Sequence, residues 1–284
     1  MEIQLDNVQK PVRRLRRSLK SLPEDLPVEF VHDLRTYARR LEAIIATLMV
    51  DRRKQTRQLL KTIRSVRKAA GAVRDMDVLT CHANTLIRDQ GDDSMIRLLE
   101  HLHALRVKSA RRLLDTVVDQ RKDARRGLKH LSRQIEKWFK AENPARPNKA
   151  TVTEPNKRAA IRLLNELSRW PDFNAGNLHA FRIKVKQLRY VLQLAEGVDA
   201  EFVKDLGRAK EQIGEWHDWQ ELAKIAERSL DAEKDCEALK NLTEIGNMKF
   251  TQARAAARGI KARALRGRKR MAESENPRHL ASAA

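Results

Sequence analysis

The sequence is poor in residues that interrupt helices or cross-link chains. Its 284 residues include 10 glycines, 8 prolines and 2 cysteines, and aromatic residues make up only 4%. No run of alternating β-branched residues is bounded by the turn signals that mark strands. The residues that dominate instead, which are Ala, Leu, Arg, Lys and Glu, are typical of long helices. The sequence therefore predicts an all-α fold.

Two further absences bear on where the protein acts. The longest apolar run, Ala43 to Val50, is too short to cross a membrane, and residues 1–17 lack the apolar centre of a secretory signal. Cys81 and Cys236 indicate buried thiols in a reducing compartment rather than a disulfide or a metal site. We therefore expect a cytoplasmic protein without a membrane partner. Its oligomeric state stays open.

Positive charge is present in large excess. The chain has 59 Lys and Arg residues against 38 Asp and Glu residues, which gives a formal net charge of +21. Such an excess opposes compaction by self-repulsion and raises the local concentration of polyanions. A surface that is merely solvated usually mixes both signs more evenly. The composition therefore predicts a polyanionic partner.

Two predicted helices carry cationic side chains at the same spacing. With about 3.6 residues per turn, positions 0, +3 and +7 lie on one face of a helix. The first stripe consists of His32, Arg35 and Arg39, and the second of His179, Arg182, Lys186 and Arg189. The opposite face is apolar in both segments, so both helices are predicted to be amphipathic. Their polar faces are therefore predicted to bind an anion.

A second pattern follows each stripe in the same order. A basic residue, a glycine, a basic residue and an aspartate occur as Arg67, Gly71, Arg74 and Asp75, and again as Lys210, Gly214, His217 and Asp218. We interpret the two glycines as breaks between helices. Two repeated features in one order indicate an internal duplication. The prolines near residue 150 mark the boundary between its halves. The predicted parts are a first helical bundle at 1–145, a linker at 146–156, a second bundle at 157–267 and a disordered basic and polar tail at 268–284.

These motifs together resemble the CHAD family, whose name stands for conserved histidine α-helical domain. The matching residues are His32-x2-Arg35-x3-Arg39-Arg40-Leu41, Gly71-x2-Arg74-Asp75-x-Asp77-Val78 and His179-x2-Arg182-x3-Lys186-x-Leu188-Arg189-Tyr190. The resemblance covers about residues 8–266. It implies two four-helix bundles related by an approximate twofold, with a basic groove or pore between them that binds inorganic polyphosphate. It also implies association with polyphosphate granules.

The resemblance assigns polyphosphate contacts to eight residues, which are His32, Arg35, Arg39, Arg40, His179, Arg182, Lys186 and Arg189. Further candidate contacts are Arg13, Arg17, Lys20, Arg64, Arg67, Arg74, Lys210 and His217. For Arg74 and His217, pairing with Asp75 and Asp218 is an equal alternative. The first copy departs from the second at position +10, where Glu42 stands in place of Arg189. Either this position faces another helix, or the first half forms a weaker site.

The residue types suit a phosphate chain, which offers charge but no bases to read. Recognition then depends on charge-assisted hydrogen bonds, for which arginine supplies a fork and lysine a mobile point charge. The two histidines could bind phosphate more strongly as the pH falls, or could simply orient the arginines. The sequence leaves these roles open, and also whether the two halves form one continuous site.

Other functions are less well supported by the residues. Glu29 with His32 matches the Glu-x2-His pattern of di-iron bundles once, but the second half has no counterpart. No phosphate-cradling glycine loop or magnesium-binding carboxylate cluster is evident. We therefore predict a non-catalytic binding protein that has no metal or other cofactor. The alternative is a nucleic-acid-binding, nucleoid-associated protein that contacts DNA through its basic tail, although few aromatic residues are available for base stacking.

Overall fold

The protein is described here by a computed structural model that covers residues 2–48, 54–87, 93–142, 151–152, 154–196, 198–231 and 234–274. These residues form eight helices and three strands of two or three residues, so the all-α prediction is confirmed. The helices are α1 (Leu5–Lys20), α2 (Val28–Thr47), α3 (Lys54–Asn84), α4 (Asp93–Glu142), α5 (Glu154–Ser168), α6 (Ala175–Gln193), α7 (Ala200–Ser229) and α8 (Cys236–Ser274). The strands are β1 (Glu2–Gln4), β2 (Thr151–Val152) and β3 (Ala195–Glu196).

Two helices continue through the glycines that were predicted to end them. Helix α3 passes through Gly71 and α7 passes through Gly214 without a break, so this prediction was wrong. Glycine in a helix costs about 1 kcal/mol relative to alanine, which the packing of a long helix easily outweighs. Helix α4 is likewise a single helix of 50 residues.

The helices pack in two groups of four, each with its own core. In the first group α1 packs on α2 and α4, and α3 packs on α2 and α4. In the second group α5 packs on α6 and α8, and α7 packs on α6 and α8. The first core includes the fully buried Leu34 and Phe139, and the second includes Phe181 and Ile213. Leu34 and Phe181 lie on the apolar faces of α2 and α6, opposite the cationic stripes, as their patterns predicted.

A third cluster of buried residues joins the two groups. It contains Leu79, Leu98, Leu222 and Leu242, which come from α3, α4, α7 and α8 respectively. We call it the linking cluster. The four long helices therefore run from a core of their own group into a core that the groups share. The sequence did not predict this cluster, because its apolar residues simply extend the stripes of helices already assigned to separate bundles.

The three short strands connect the two groups a second time. Strand β1 lies between β2 and β3 and is antiparallel to both, with Ile3 opposite Val152 on one side and Ala195 on the other. Next to β3, the buried Leu194 packs into the core of the first group. Strands this short cannot carry the alternating pattern by which strands are found in a sequence.

Several predicted boundaries differ from those of the structure. Strand β2 and the start of α5 fall inside the predicted linker 146–156, since a proline such as Pro155 is tolerated in the first turn of a helix. Helix α8 continues to Ser274, inside the predicted disordered tail 268–284. Residues 143–150 and 275–284 lie outside the described residues. Cys81 is exposed rather than buried. No described helix is both long and apolar enough to span a membrane.

Candidate functional site

A cleft of about 1320 Å³ lies between the two groups of helices. Helices α2, α3 and α4 line it from the first group and α5, α6 and α7 from the second; we call it the central cleft. Both cationic stripes face it, apart from Arg189. The cationic and histidine side chains in its wall that the sequence had singled out are His32, Arg35, Arg39, Arg64, Arg67, Arg74, His179, Arg182, Lys186, Lys210 and His217. One site therefore takes side chains from both groups of helices.

The starts of α2 and α6 are fixed by local interactions, and these place the two motif histidines. Asn174 caps α6: its side chain accepts hydrogen bonds from the backbone of Gly176 and Asn177, and the Asn177 side chain accepts one from the Asn174 backbone. At the start of α2, Arg106 donates to the Leu26 carbonyl at 3.0 Å and pairs with the buried Asp77 at 2.7 Å. Asp77, the second aspartate of the first-half motif, therefore joins α3 to α4 and does not serve as a ligand contact.

Arg39 and Lys186 are the most exceptional side chains in the cleft. Within the described part of the chain neither pairs with a carboxylate, and the Nε of Arg39 is buried without a hydrogen-bond partner. Lys186 is only 9% exposed. Burial, followed by the charges of Arg35 and Arg67, lowers the pKa of Arg39 to about 10. Uncompensated cations at this depth indicate a place that an anion can fill.

The pKa of Lys186 is lowered much further, to about 6. Burial is the largest cause, and the charges of Arg39, Arg182, Arg35 and Lys210 add to it. Three of these neighbours belong to α2 and α6 and one to α7. Arg35 and Arg39 from the first group and Arg182 and Lys210 from the second all act on this one amine. The two stripes therefore lie close together in the cleft. At neutral pH this amine is largely unprotonated.

The arginines at position +3 of each stripe are held more firmly. Arg35 pairs with Asp75 at 3.2 Å, and the Nε of Arg182 donates to the carbonyl of Lys210 at 3.0 Å. Burial raises the pKa of Asp218 to about 6, with the nearby Arg182 opposing and Asp75 adding to the shift. The two aspartates therefore lie among the +3 arginines. Asp75 pairs with Arg35 of α2 rather than with its neighbour Arg74.

An arginine lies against each of the two motif glycines, and at Gly214 it lies too close to leave room for a Cβ. A Cβ at Gly71 would lie 3.5 Å from the Nε of Arg35, and a Cβ at Gly214 would lie 2.9 Å from the Nε of Arg182. At Gly214 such an atom would displace the guanidinium, because real Cβ atoms do not approach other atoms so closely. The glycines that were interpreted as helix breaks are therefore places where an arginine crosses the neighbouring helix.

The cleft histidines share one property, which is a lowered pKa. Burial and then Arg74 lower the pKa of His32, although its surface is largely exposed. Burial and then His217, whose ring centroid lies 4.2 Å away, lower the pKa of His179 to about 4. Burial also lowers the pKa of His217. At neutral pH these rings are uncharged, and they can donate or accept hydrogen bonds beside the arginines.

Several candidate residues do not line the central cleft. Arg13, Arg17 and Lys20 are exposed on α1, where Arg13 pairs with Asp6 at 2.8 Å. Arg40 and Arg189 are not part of the cleft wall either. The side chain of Arg189 instead lies against Gly207 of α7.

Position +10 of the first stripe is occupied by an acid that does face the cleft. Glu42 pairs with Arg67 at 2.8 Å and thereby neutralises one cation of the first half. The departure seen in the sequence is thus a real difference between the two halves. The wall also contains His82 of α3 and Arg162 of α5, which the sequence did not single out, and Tyr190 of α6, which had been noted only as part of the family motif. Tyr190 follows Lys186 by four residues, so helical spacing places it on the same face.

The wall of the cleft also carries acids, which are Asp75, Glu211, Glu215, Asp218 and Glu221 besides Glu42. Glu215 pairs with Lys249 of α8 at 2.7 Å, and Glu211 with Lys210 at 3.2 Å. Among the residues that the structure describes, no three His, Cys, Asp or Glu side chains are grouped so that they could hold a metal ion. A ligand in the cleft would therefore meet the hydrogen-bond donors of the arginine, lysine and histidine side chains, in a wall with more basic than acidic residues.

Comparison with known proteins identifies the family and the fold. A family model for the CHAD domain matches residues 4–227. Among solved structures, the crystal structure of the CHAD domain from the plant Ricinus communis superposes with a TM-score of 0.59 at 17% sequence identity, over 92% of this chain and 87% of that one. At this identity the match shows the fold. A comparison with curated protein sequences found no match.

Proposed function

Since this chain belongs to the CHAD family, we propose that its central cleft binds inorganic polyphosphate and that this binding is non-catalytic. The observation that carries the proposal is the meeting of two basic side chains, Arg39 and Lys186, from the two halves of the chain, neither of which pairs with a carboxylate within the described residues. A positive charge without a counter-ion is unfavourable at this depth, which is why the Lys186 amine is largely unprotonated in the free protein. A polyanion that enters the cleft supplies the missing charge.

The chemistry of the wall fits a chain of phosphates better than a single small anion. Cations from α2, α3, α6 and α7 are distributed along the cleft, and the uncharged imidazoles of His32 and His179 lie beside them. Arginine forks can hold oxygens of successive phosphates, and neutral histidines can donate to others. Polyphosphate has no bases and so needs no aromatic side chains to stack on. This agrees with the described wall, in which Tyr190 is the only Trp, Tyr or Phe side chain.

We also propose that the two groups of helices are four-helix bundles related by an approximate twofold. Support comes from equivalent contacts: Arg35 crosses α3 at Gly71, and Arg182 crosses α7 at Gly214. The two aspartates Asp75 and Asp218 follow these glycines at the same distance. The symmetry ends at position +10, where Glu42 and Arg189 differ. Binding in such a cytoplasmic protein would place it on polyphosphate granules.

The alternative function is nucleic-acid binding, which the net charge of +21 and the basic end of the chain favour. It predicts contacts on exposed surfaces such as the Arg13, Arg17 and Lys20 face of α1, and in the tail, of which residues 275–284 lie outside the described residues. It gives no role to the buried cations of the cleft. Base stacking on a single strand would also require aromatic side chains that the wall does not provide.

A competition experiment tests the proposal. Labelled long-chain polyphosphate bound to the protein is challenged with DNA and with RNA, at equal phosphate concentration and about 0.15 M salt, where nonspecific attraction is reduced. We expect unlabelled polyphosphate to displace the label and nucleic acid to displace little of it. Ready displacement by either nucleic acid would favour the alternative. Deletion of residues 268–284, the predicted basic tail, should lower polyphosphate affinity by less than about threefold, because it removes only two net positive charges.

The glycine that Arg182 crosses provides a second prediction. Gly214→Ala should weaken polyphosphate binding by about 10- to 100-fold, since it displaces one guanidinium and a charged hydrogen bond contributes about 1.5–3 kcal/mol. The matched control is Gly246→Ala in α8, where a Cβ meets nothing within 4 Å. This control should raise stability by up to about 1 kcal/mol and leave affinity unchanged. Titration and thermal unfolding of both variants measure these effects. Equal affinity of the two variants would exclude a binding role for Arg182.

A further inference from the structure

Lys186 has a chemical property that phosphate binding does not require. Its side chain lies in the wall of the central cleft, is only 9% exposed and has no carboxylate partner within the described residues. By contrast Lys184, two residues earlier on α6, pairs with Glu166 at 2.6 Å and its side chain is 35% exposed. The two lysines thus share a helix, and only Lys186 lacks a counter-ion.

The surroundings of Lys186 make its amine a nucleophile. Burial and four neighbouring cations lower its pKa to about 6. At neutral pH most of this amine carries a free lone pair, whereas an exposed lysine with a pKa of about 10.4 is unprotonated in only about one molecule in a thousand. Lysines that are desolvated beside other cations are the ones that form Schiff bases with carbonyl compounds.

The same surroundings provide a place for a phosphate group. Arg39 and Arg182 both act on Lys186 through their charges. The buried Nε of Arg39 has no hydrogen-bond partner, so this arginine retains a free donor beside the amine. Arg182 uses its Nε for the Lys210 carbonyl and has its Nη groups left to donate. A small molecule that carries both a phosphate and an electrophilic carbon would therefore meet a nucleophile and its anion site together.

We propose that Lys186 captures small phosphorylated aldehydes, which it binds covalently as imines while Arg39 and Arg182 hold their phosphate. In this step the Lys186 nitrogen attacks the aldehyde carbon and a carbon–nitrogen double bond forms. The carbonyl oxygen leaves as water together with both amine protons, and no oxidant or reductant is required. The capture shares with the proposed function only the premise that the cleft arginines bind phosphate. Since both ligands occupy one cleft, each excludes the other.

Pyridoxal 5′-phosphate is a suitable probe, with pyridoxal as the control that lacks the phosphate. The folded protein is incubated with each at about pH 7.4 and treated with borohydride, and the modified lysines are located by peptide mass spectrometry. We expect Lys186 to react at least about tenfold faster than any exposed lysine, because its neutral fraction is far larger. With pyridoxal this preference should fall at least about tenfold, as the loss of one charged hydrogen bond would cause. Equal labelling of Lys186 by both reagents, or labelling confined to exposed lysines, would overturn the proposal.

Two variants and one competitor complete the test. Lys186→Arg replaces the amine by a guanidinium of similar length and should abolish the label at position 186, whereas Lys184→Arg should leave the label on Lys186 unchanged. An excess of tripolyphosphate should protect Lys186 in the wild-type protein, which needs no variant to fold. Direct polyphosphate titration of the same sample separates the two proposals. Polyphosphate binding without labelling of Lys186 contradicts only the imine, and labelling without polyphosphate binding contradicts only the proposed function.

Discussion

Replacing the two unpaired basic side chains of the central cleft, as Arg39→Gln with Lys186→Gln, should raise the Kd for long-chain polyphosphate by about 100-fold or more. Each side chain is expected to make at least one charge-assisted hydrogen bond to phosphate, worth about 1.5–3 kcal/mol. Neither has a carboxylate that competes with the ligand within the described residues. Lys186 must take up a proton when it binds phosphate, and this cost offsets part of its contribution. We therefore expect the Lys186 hydrogen bond to contribute near the lower end of the range of about 1.5–3 kcal/mol.

The same two helices provide the control for this double variant. Arg40→Gln with Lys184→Gln makes the same two residue changes in α2 and α6, at positions near Arg39 and Lys186 that do not line the cleft. This pair should change the Kd by less than about threefold, because both side chains lie outside the cleft and are partly exposed, so that salt screens their charges. Titrations at two salt concentrations should also give a shallower salt dependence for the cleft variant than for the control. If both pairs weaken binding alike, the net charge of the protein rather than the cleft attracts the polyanion.

The comparison of these two pairs also shows what the sequence could and could not predict. Helical spacing was sufficient to place Arg39 and Lys186 on the polar faces of their helices, because the period of the α-helix fixes which residues share a face. It did not separate Arg39 from Arg40, or Lys186 from Arg189. The CHAD resemblance grouped all four. Only the packing of α2 against α6 shows which side chains meet across the cleft and which, like Arg189, lie against a helix of their own group.

The glycines illustrate a different limit. Gly71 and Gly214 were read by a local rule, under which glycine weakens a helix, yet both lie within continuous helices. Their role depends on a side chain of another helix that crosses above them. Similarly, the pKa of Lys186 on α6 depends on its burial and on residues of two other helices, Arg35 and Arg39 of α2 and Lys210 of α7. Properties that depend on distant segments cannot be obtained from the spacing of one motif.

Replacing the buried amine, as Lys186→Met, should stabilise the free protein while it weakens polyphosphate binding. The folded protein lowers the pKa of Lys186 from 10.5 to about 6. Between these two values the unfolded chain holds a proton that the folded chain does not, so this residue lowers the stability of the wild type. Methionine of similar length removes the penalty. The gain in the free energy of unfolding that Lys186→Met gives over the wild type is therefore complete below about pH 6 and falls as the pH rises towards 10.5.

Thermal unfolding without polyphosphate measures the first effect. We expect a gain of about 1–4 kcal/mol near pH 7, the range found when buried charged groups are replaced by apolar ones, and each kcal/mol should raise the Tm by about 2–4 °C. Lys184→Met is the control on the same helix and should give no gain, since its charge is paired and partly exposed. A Lys186→Met protein that unfolds at the wild-type temperature would contradict a buried, uncompensated amine.

The pH dependence of polyphosphate affinity measures the second effect, which is the weaker binding of Lys186→Met. It also distinguishes loss of the Lys186 charge from a change in packing. A bound polyanion raises the pKa of Lys186, so the wild type takes up a proton on binding and its affinity should fall as the pH rises from about 6 to 8. The largest slope that one such group can give is about tenfold per pH unit. Asp218, which burial brings to a pKa of about 6, acts in the same direction because its carboxylate repels phosphate above that pH. Lys186→Met should keep only this smaller component, whereas an unchanged slope would assign the proton uptake to Asp218 and the cleft histidines.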